Sequence, residues 1–353
     1  ILSFMGEPIF NFIGHDPLVK EQQISYWKFL AISGIFQIQL GALTSFFNGR
    51  GKTYPVMWSS FASTFVNICL NYCLIFGNFG FPEMGIQGAG LSTLIATFTN
   101  VSILSILIFT SKNNQNFNVR SAYHFNYKRF KRLVNFGMPN GFTFFLNITV
   151  FTVFVLLVGR IGIIELAAAN IAMNISMLAF MPMVGLGISV MVQVGQSIGA
   201  NNPELAKRAT YTGLQISFIY LSFLGVFYLF LPQILIYPYE VNASSSDFDQ
   251  ISEMTKIILR FITFWGFFDA LGIIISAGLK GAGDTRFIMI AVGVIGTCVA
   301  IIPMFIVVEI LSLGIYSAFI SGTIFMATLG ITYLIRFRGG KWQTMKVIET
   351  ESN

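Results

Sequence analysis

Long apolar runs separated by short polar connections constrain this chain more than any other feature of its sequence. Residues 211–231 and 287–308 carry no charged side chain, and 261–279 carry one. Each run has about the length of a helix that crosses roughly 30 Å of hydrocarbon. In that medium only a helix or a closed barrel satisfies its own backbone polar groups, and runs this long and apolar suit helices. Composition agrees. Charged residues make up 10% of the 353 residues and apolar ones 55%, against about 25% charged in an ordinary soluble domain. The sequence therefore reads as an all-α polytopic membrane protein. About nine complete transmembrane helices are expected, near 27–48, 55–76, 88–110, 137–158, 164–186, 211–234, 257–279, 287–308 and 313–335. Residues 1–13 read as the tail of an earlier helix.

The basic residues alternate with these spans. Arg50, Lys52, Lys112, Arg120, Lys128, Arg129, Lys131, Arg132, Lys207, Arg208, Lys280, Arg286, Arg336, Arg338, Lys341 and Lys346 fall on one side. Only Lys20, Lys28, Arg160, Lys256 and Arg260 fall on the other, and these two sets account for all 21 Lys and Arg. Cytoplasmic loops concentrate Lys and Arg, which places the first set and the C-terminus in the cytoplasm. The net charge of +6 thus reports topology, and no nucleic-acid partner is expected. The basic stretch 127–132 reads as part of a cytoplasmic linker.

An internal repeat organises the chain. The segment NGRGKTYPVM at 48–57 closes one helix and opens the next, and LKGAGDTRFIM at 279–289 does the same 232 residues later, counted from Thr53 to Thr285. Likewise GIQGAGLST at 85–93 echoes GIYSAFISGT at 314–323. Such duplications are common in transporters, whose substrate sites lie near the repeat interface. The repeat leaves a six-helix half at 137–335, a linker at 111–136, a tail at 336–353, and at 1–110 only the end of a third helix plus helices four to six. The expectation is a twelve-helix, two-lobe protein lacking roughly 100 residues before Ile1, and inactive in this truncated form.

A charge inside a span costs several kcal/mol, so each is a functional candidate. Asp269, in FWGFFDALGIII, is the one acid deep in a complete span. It could exchange H⁺, Na⁺ or an organic cation, or stay neutral and hydrogen-bonded to a neighbouring helix. Trp265 is a binding candidate among the aromatics flanking it. The repeat pairs Asp269 with Gln37, since 269 − 232 = 37, so acid chemistry is not symmetric. Asn67 and Asn71, and Asn170 and Asn174, share helix faces at i, i+4, and Gln193 and Gln196 are three apart. They could bridge helices or, as with Asn174, contact a ligand. Pro139, Pro182 and Pro303 loosen the backbone ladder, and Pro139 and Pro182 are hinge candidates. Met173, Met177, Met181, Met183 and Met191 would suit an adaptable greasy cavity. Cys69, Cys73, Cys298, His15 and His124 lack metal-ligand spacing, so no metal site and no cofactor are expected.

Several segments resemble the multidrug and toxic compound extrusion (MATE) transporters. They are FNGRGKTYPVM (47–57), LNYCLIFG (70–77), FGMPNGFTFFLN (136–147), GLGISVMVQVGQSIGANNPELAKRA (185–209) and GLKGAGDTRFIM (278–289). The resemblance implies a two-lobe antiporter of the cell (inner) membrane. It would export cationic or amphipathic compounds by alternating access in exchange for Na⁺ or H⁺, and act as a monomer. It also puts Asp269 at the C-lobe ion site. The second acid of that site, eight residues after Pro139, is replaced here by Asn147, which can ligate a cation but not hold a proton. The sequence carries no HExxH, GxSxG or Walker pattern, so no enzyme is expected. The alternative is a flippase for lipid-linked precursors or sugars, which would need several basic residues in its cavity.

Overall fold

A computed structural model describes residues 6–8, 10–11, 17–121, 124–241 and 247–345. The expected helix tail at 1–13 lies largely outside these residues. The chain divides into two compact units, Ile1–Phe125 and Asn126–Asn353. Among the described residues there is no β-strand, and nine helices are long and apolar enough to cross a membrane.

The first unit holds α1 (Pro17–Asn48), α2 (Tyr54–Phe76) and α3 (Gly85–Ile108). The third helix is the central one. Ser33 Oγ on α1 donates to Thr97 Oγ1 at 3.3 Å, and Ser63 Oγ on α2 donates to the Ala96 carbonyl at 2.7 Å. The short helix Ser111–Phe117 follows, with Arg50 stacked over the Phe46 and Phe117 rings at 4.8 and 4.2 Å.

The second unit holds α4 (Tyr127–Ile161), α5 (Ile163–Gly199), α6 (Pro203–Phe230), α7 (Phe248–Gly281), α8 (Thr285–Ile310) and α9 (Ile315–Arg338). Helix α7 sits in the middle, packed on α5, α6 and α9. Glycine permits this closeness: a Cβ on Gly281 would lie 2.4 Å from the Met191 carbonyl oxygen of α5, and one on Gly330 would lie 2.9 Å from that of Phe268. Small residues replace the hydrophobic effect as the cause of tight helix pairing in lipid. Large apolar side chains face outward instead, among them Phe223, Phe230 and Ile335.

The backbone repeats as the sequence does. In the first unit Lys52 N–H donates to the Phe47 carbonyl at 3.0 Å and Gly51 N–H to Asn48 at 2.9 Å. In the second, Asp284 N–H donates to Leu279 at 2.9 Å and Gly283 N–H to Lys280 at 3.0 Å. Every partner is displaced by 232 residues, and both glycines have positive φ, 69° and 94°.

Helices outrun the apolar blocks that announced them. Helix α4 begins at Tyr127, inside the expected linker, and α9 ends at Arg338, inside the expected tail. Hydropathy marks only the hydrocarbon portion of a helix, whereas its hydrogen-bond ladder continues into the polar interface. Helix α8 is interrupted, with π-helical turns at Gly296–Ile301 and Ile306–Ile310 on either side of Pro303. A proline that cannot donate leaves a slack the wider π turn absorbs.

Candidate functional site

The six helices of the second unit surround a cavity of about 680 Å³. Its wall is mostly apolar, with aromatic rings and thioethers set among aliphatic and small side chains. Met173, Met177, Met183 and Met191 of the five anticipated methionines line it, with Met304 and Met326 added from α8 and α9. Met181 is exposed and points elsewhere. Trp265 is a rigid part of that wall: its ring meets Phe154 edge-on at 5.9 Å, and Phe154 meets Phe319 at 5.2 Å. Gly322 opposite leaves room for the indole, since a Cβ there would come within 3.2 Å of it. Aromatic rings arranged edge to face hold one another in place without polar partners.

Polar groups enter the cavity in two stripes. On α4, Asn140, Thr143 and Asn147 follow one another at three and four residues, which keeps them on one face. The Thr143 hydroxyl is turned back to the Pro139 carbonyl at 2.8 Å, leaving the two amides for the cavity. On α7, Asp269, Gly272, Ser276 and Lys280 form the second stripe. Asp269 is half-buried, and its carboxylate makes no hydrogen bond or ion pair to another described residue. The alternative of a carboxyl group tied to a neighbouring helix therefore finds no partner among these residues. An acid without a protein partner, in a greasy cavity, is a group arranged to meet something that enters.

The expected site residues thus separate. Asp269, Trp265 and Asn147 line one cavity. Asn174 does not: its amide donates to the Asn170 carbonyl at 2.9 Å on its own helix. Gln37 is exposed on α1 of the first unit. Pro139 is buried on α4, one turn before Thr143. Pro182 lies inside α5, between the lining residues Phe180 and Met183. Its ring removes the bond that the Leu178 carbonyl, four residues back, would accept. The Tyr220 hydroxyl on α6 supplies that bond at 2.6 Å.

Sequence reasoning missed Asn140, Ser276, Tyr333 and above all Lys280, which it assigned to a loop end. The signal was available. Lys280 lies eleven residues after Asp269, three helical turns along the same face.

Comparisons with known proteins agree on what this fold is. The MatE family matches residues 1–73 and 139–307. The chain is 28% identical over 317 residues to the probable multidrug resistance protein NorM of Thermotoga maritima, covering 88% of this chain and 66% of that protein. It is 26% identical over 276 residues to the multidrug resistance protein MdtK of Photorhabdus laumondii, covering 77% and 59%. The chain therefore spans less than two thirds of the length of these curated relatives. A solved structure described as an outward-facing multidrug resistance MATE family transporter of the MOP superfamily superposes with a TM-score of 0.86 at 18% identity, covering 99% of this chain and 76% of that one. The eukaryotic MATE transporter AtDTX14 superposes with 0.80 at 19% identity, covering 97% and 75%. The matched segments contain Asn147, Trp265 and Asp269, and this multi-pass membrane protein belongs to the MatE family.

Proposed function

We propose that the protein is a secondary active antiporter that exports small cationic or amphipathic organic compounds in exchange for Na⁺ or H⁺ by alternating access. The observation that carries this reading is the Asp269 carboxylate, without a partner among the described residues, in a largely apolar cavity to which methionine and aromatic side chains contribute. Thioethers and rings adapt to varied apolar shapes, and aromatic faces attract cations. A carboxylate that meets either an organic cation or the coupling ion, but not both, links the two fluxes. Asn147 contributes a neutral oxygen to that exchange. The names of the relatives, multidrug resistance proteins, support the substrate class.

Helix α5 supplies the moving part in this account. Pro182 leaves the Leu178 carbonyl without its ladder bond, so bending there releases the Tyr220 hydroxyl that takes its place. The C-terminus lies in the cytoplasm of a cell-membrane protein that acts as a monomer, with no cofactor beyond the coupling ion. The protein is not an enzyme in this reading. A flippase for lipid-linked precursors would need several cavity cations to hold phosphates; among the described residues Lys280 is the one basic side chain lining this cavity.

The test is export of a fluorescent cationic dye by the full-length protein in an efflux-deficient host, under imposed Na⁺ and H⁺ gradients in turn. Efflux that follows one gradient supports the antiporter and names its ion. Efflux indifferent to both gradients contradicts it.

A further inference from the structure

The cavity carries a positive charge as well as a negative one, and both lie on α7. From Asp269 to Lys280 the helix climbs eleven residues, or about 16 Å at 1.5 Å per residue. Gly272, Ile273 and Ser276 line the cavity between them, so the two charges bound one continuous stripe. The level of each is fixed by neighbouring helices. Gly330 of α9 rests on the Phe268 carbonyl, beside Asp269, while Gly278, beside Lys280, meets Phe337. Tyr333, which lies between Gly330 and Phe337 on α9, also lines the cavity and so stands between the two charges in height.

Lys280 is half-buried and makes no ion pair or hydrogen bond through its ammonium group to another described residue. A cation at the last turn of a helix is favoured by the helix dipole, which accounts for its tolerance there. The dipole does not account for its facing a cavity. The nearby acid Asp284 is engaged elsewhere, by Arg336 at 2.8 Å. The Cα–Cβ bond of a helical residue tilts toward the helix N-terminus, which at Lys280 is the side on which Asp269 lies.

The internal repeat isolates this feature. At the same offset of 232, Asp269 corresponds to Gln37 and Lys280 to Asn48. The first unit thus has two amides where the second has an acid and a base, although the backbone hydrogen bonds around the matching turns are the same. The fold itself requires neither charge.

We propose that Lys280 is a specificity-determining residue that holds the anionic end of a zwitterionic amphiphile while Asp269 holds its cationic end. The inference rests on the reading of the cavity as an organic-cation site and narrows it. A purely cationic compound is attracted by Asp269 but repelled by the lysine, whereas a compound carrying a carboxylate beyond its cation satisfies both. Two opposite charges placed apart also fix the direction in which the ligand lies, which a single acid does not.

The experiment uses a rhodamine bearing a hexanoate tail, as the free acid and as its methyl ester. Binding of each to the protein in lipid nanodiscs is followed by fluorescence anisotropy. The free acid is expected to bind about tenfold more tightly than the ester, or about 1.4 kcal/mol. Lys280→Gln is expected to weaken the acid and tighten the ester, reversing the order, because one like charge leaves the cavity. Lys280→Arg is expected to keep the wild-type order. An ester that binds the wild type as tightly as the acid overturns the proposal, and this measurement needs no variant. Equal weakening of both ligands by Lys280→Gln also overturns it, since a merely structural lysine would act that way. If neither ligand binds the wild type, the cavity reading itself fails and takes this inference with it.

Discussion

Gly281 is where the packing of the second unit is least forgiving, and its replacement gives a calculable result. A Cβ there would sit 2.4 Å from the Met191 carbonyl oxygen and 3.0 Å from the Val194 Cβ. Ordinary contact begins at 3.4 Å, so α5 and α7 must part by 3.4 − 2.4 = 1.0 Å at this point. The obstructing oxygen belongs to helical backbone and cannot rotate away. Overpacking of this kind costs about 1–3 kcal/mol. The gain in helix propensity from Gly to Ala, at most about 1 kcal/mol, offsets little at a helix end. A net loss of about 2 kcal/mol lowers Tm by roughly 4–8 °C for a unit of this size. The assay is thermal unfolding in detergent of Gly281→Ala against wild type, with Gly141→Ala as the control. No atom lies within 4 Å of a Cβ at Gly141, so that variant is expected to melt at or slightly above the wild-type temperature. If Gly281→Ala melts with the wild type, the close approach of α5 to α7 is wrong, and the placement of Lys280 beside it falls too.

Two further outcomes follow from the hydrogen bonds. Tyr220→Phe leaves the Leu178 carbonyl without its partner and is expected to cost about 1–3 kcal/mol of stability. Faster amide exchange confined to α5 around Pro182 is the signature to measure; exchange unchanged there would show that the tyrosine does not brace the proline. Arg336→Gln strands the Asp284 carboxylate, which is 5% exposed, and is expected to cost about 3–5 kcal/mol. Adding Asp284→Asn to it should recover part of that loss in thermal unfolding, and additive losses would contradict the pairing.

The architecture was legible because membrane helices write their length in apolar residues and the two halves share turns. The 232-residue offset reappears in backbone hydrogen bonds, and Asn202 caps α6 through Leu205 N–H at 3.1 Å with Pro203 and Glu204 in its first turn. Asp269 stood out for its cost. What could not be read was helix phase. These helices are apolar on all sides, so no amphipathic pattern says which face turns inward. Asn174 follows the lining residue Met173 by one position, about 100° around α5, and bonds to its own backbone instead of entering the cavity. Gln37 matches Asp269 in sequence yet is exposed in the other unit, because a repeat conserves the course of the backbone and not its chemistry. Lys280 was misjudged because α7 continues past the apolar block that revealed it.

The central claim is that Asp269 holds the charged head of an organic cation in the cavity of the second unit. Its most direct test is the affinity of a fluorescent cation for the protein in nanodiscs, wild type against Asp269→Asn. A charge pair near 4 Å is worth about 4 kcal/mol at an effective dielectric of 20. Even with most of that spent on desolvation, the variant is expected to bind at least about tenfold more weakly, at 1.4 kcal/mol per decade. Equal affinity in the two proteins would contradict the account and move the cation away from Asp269.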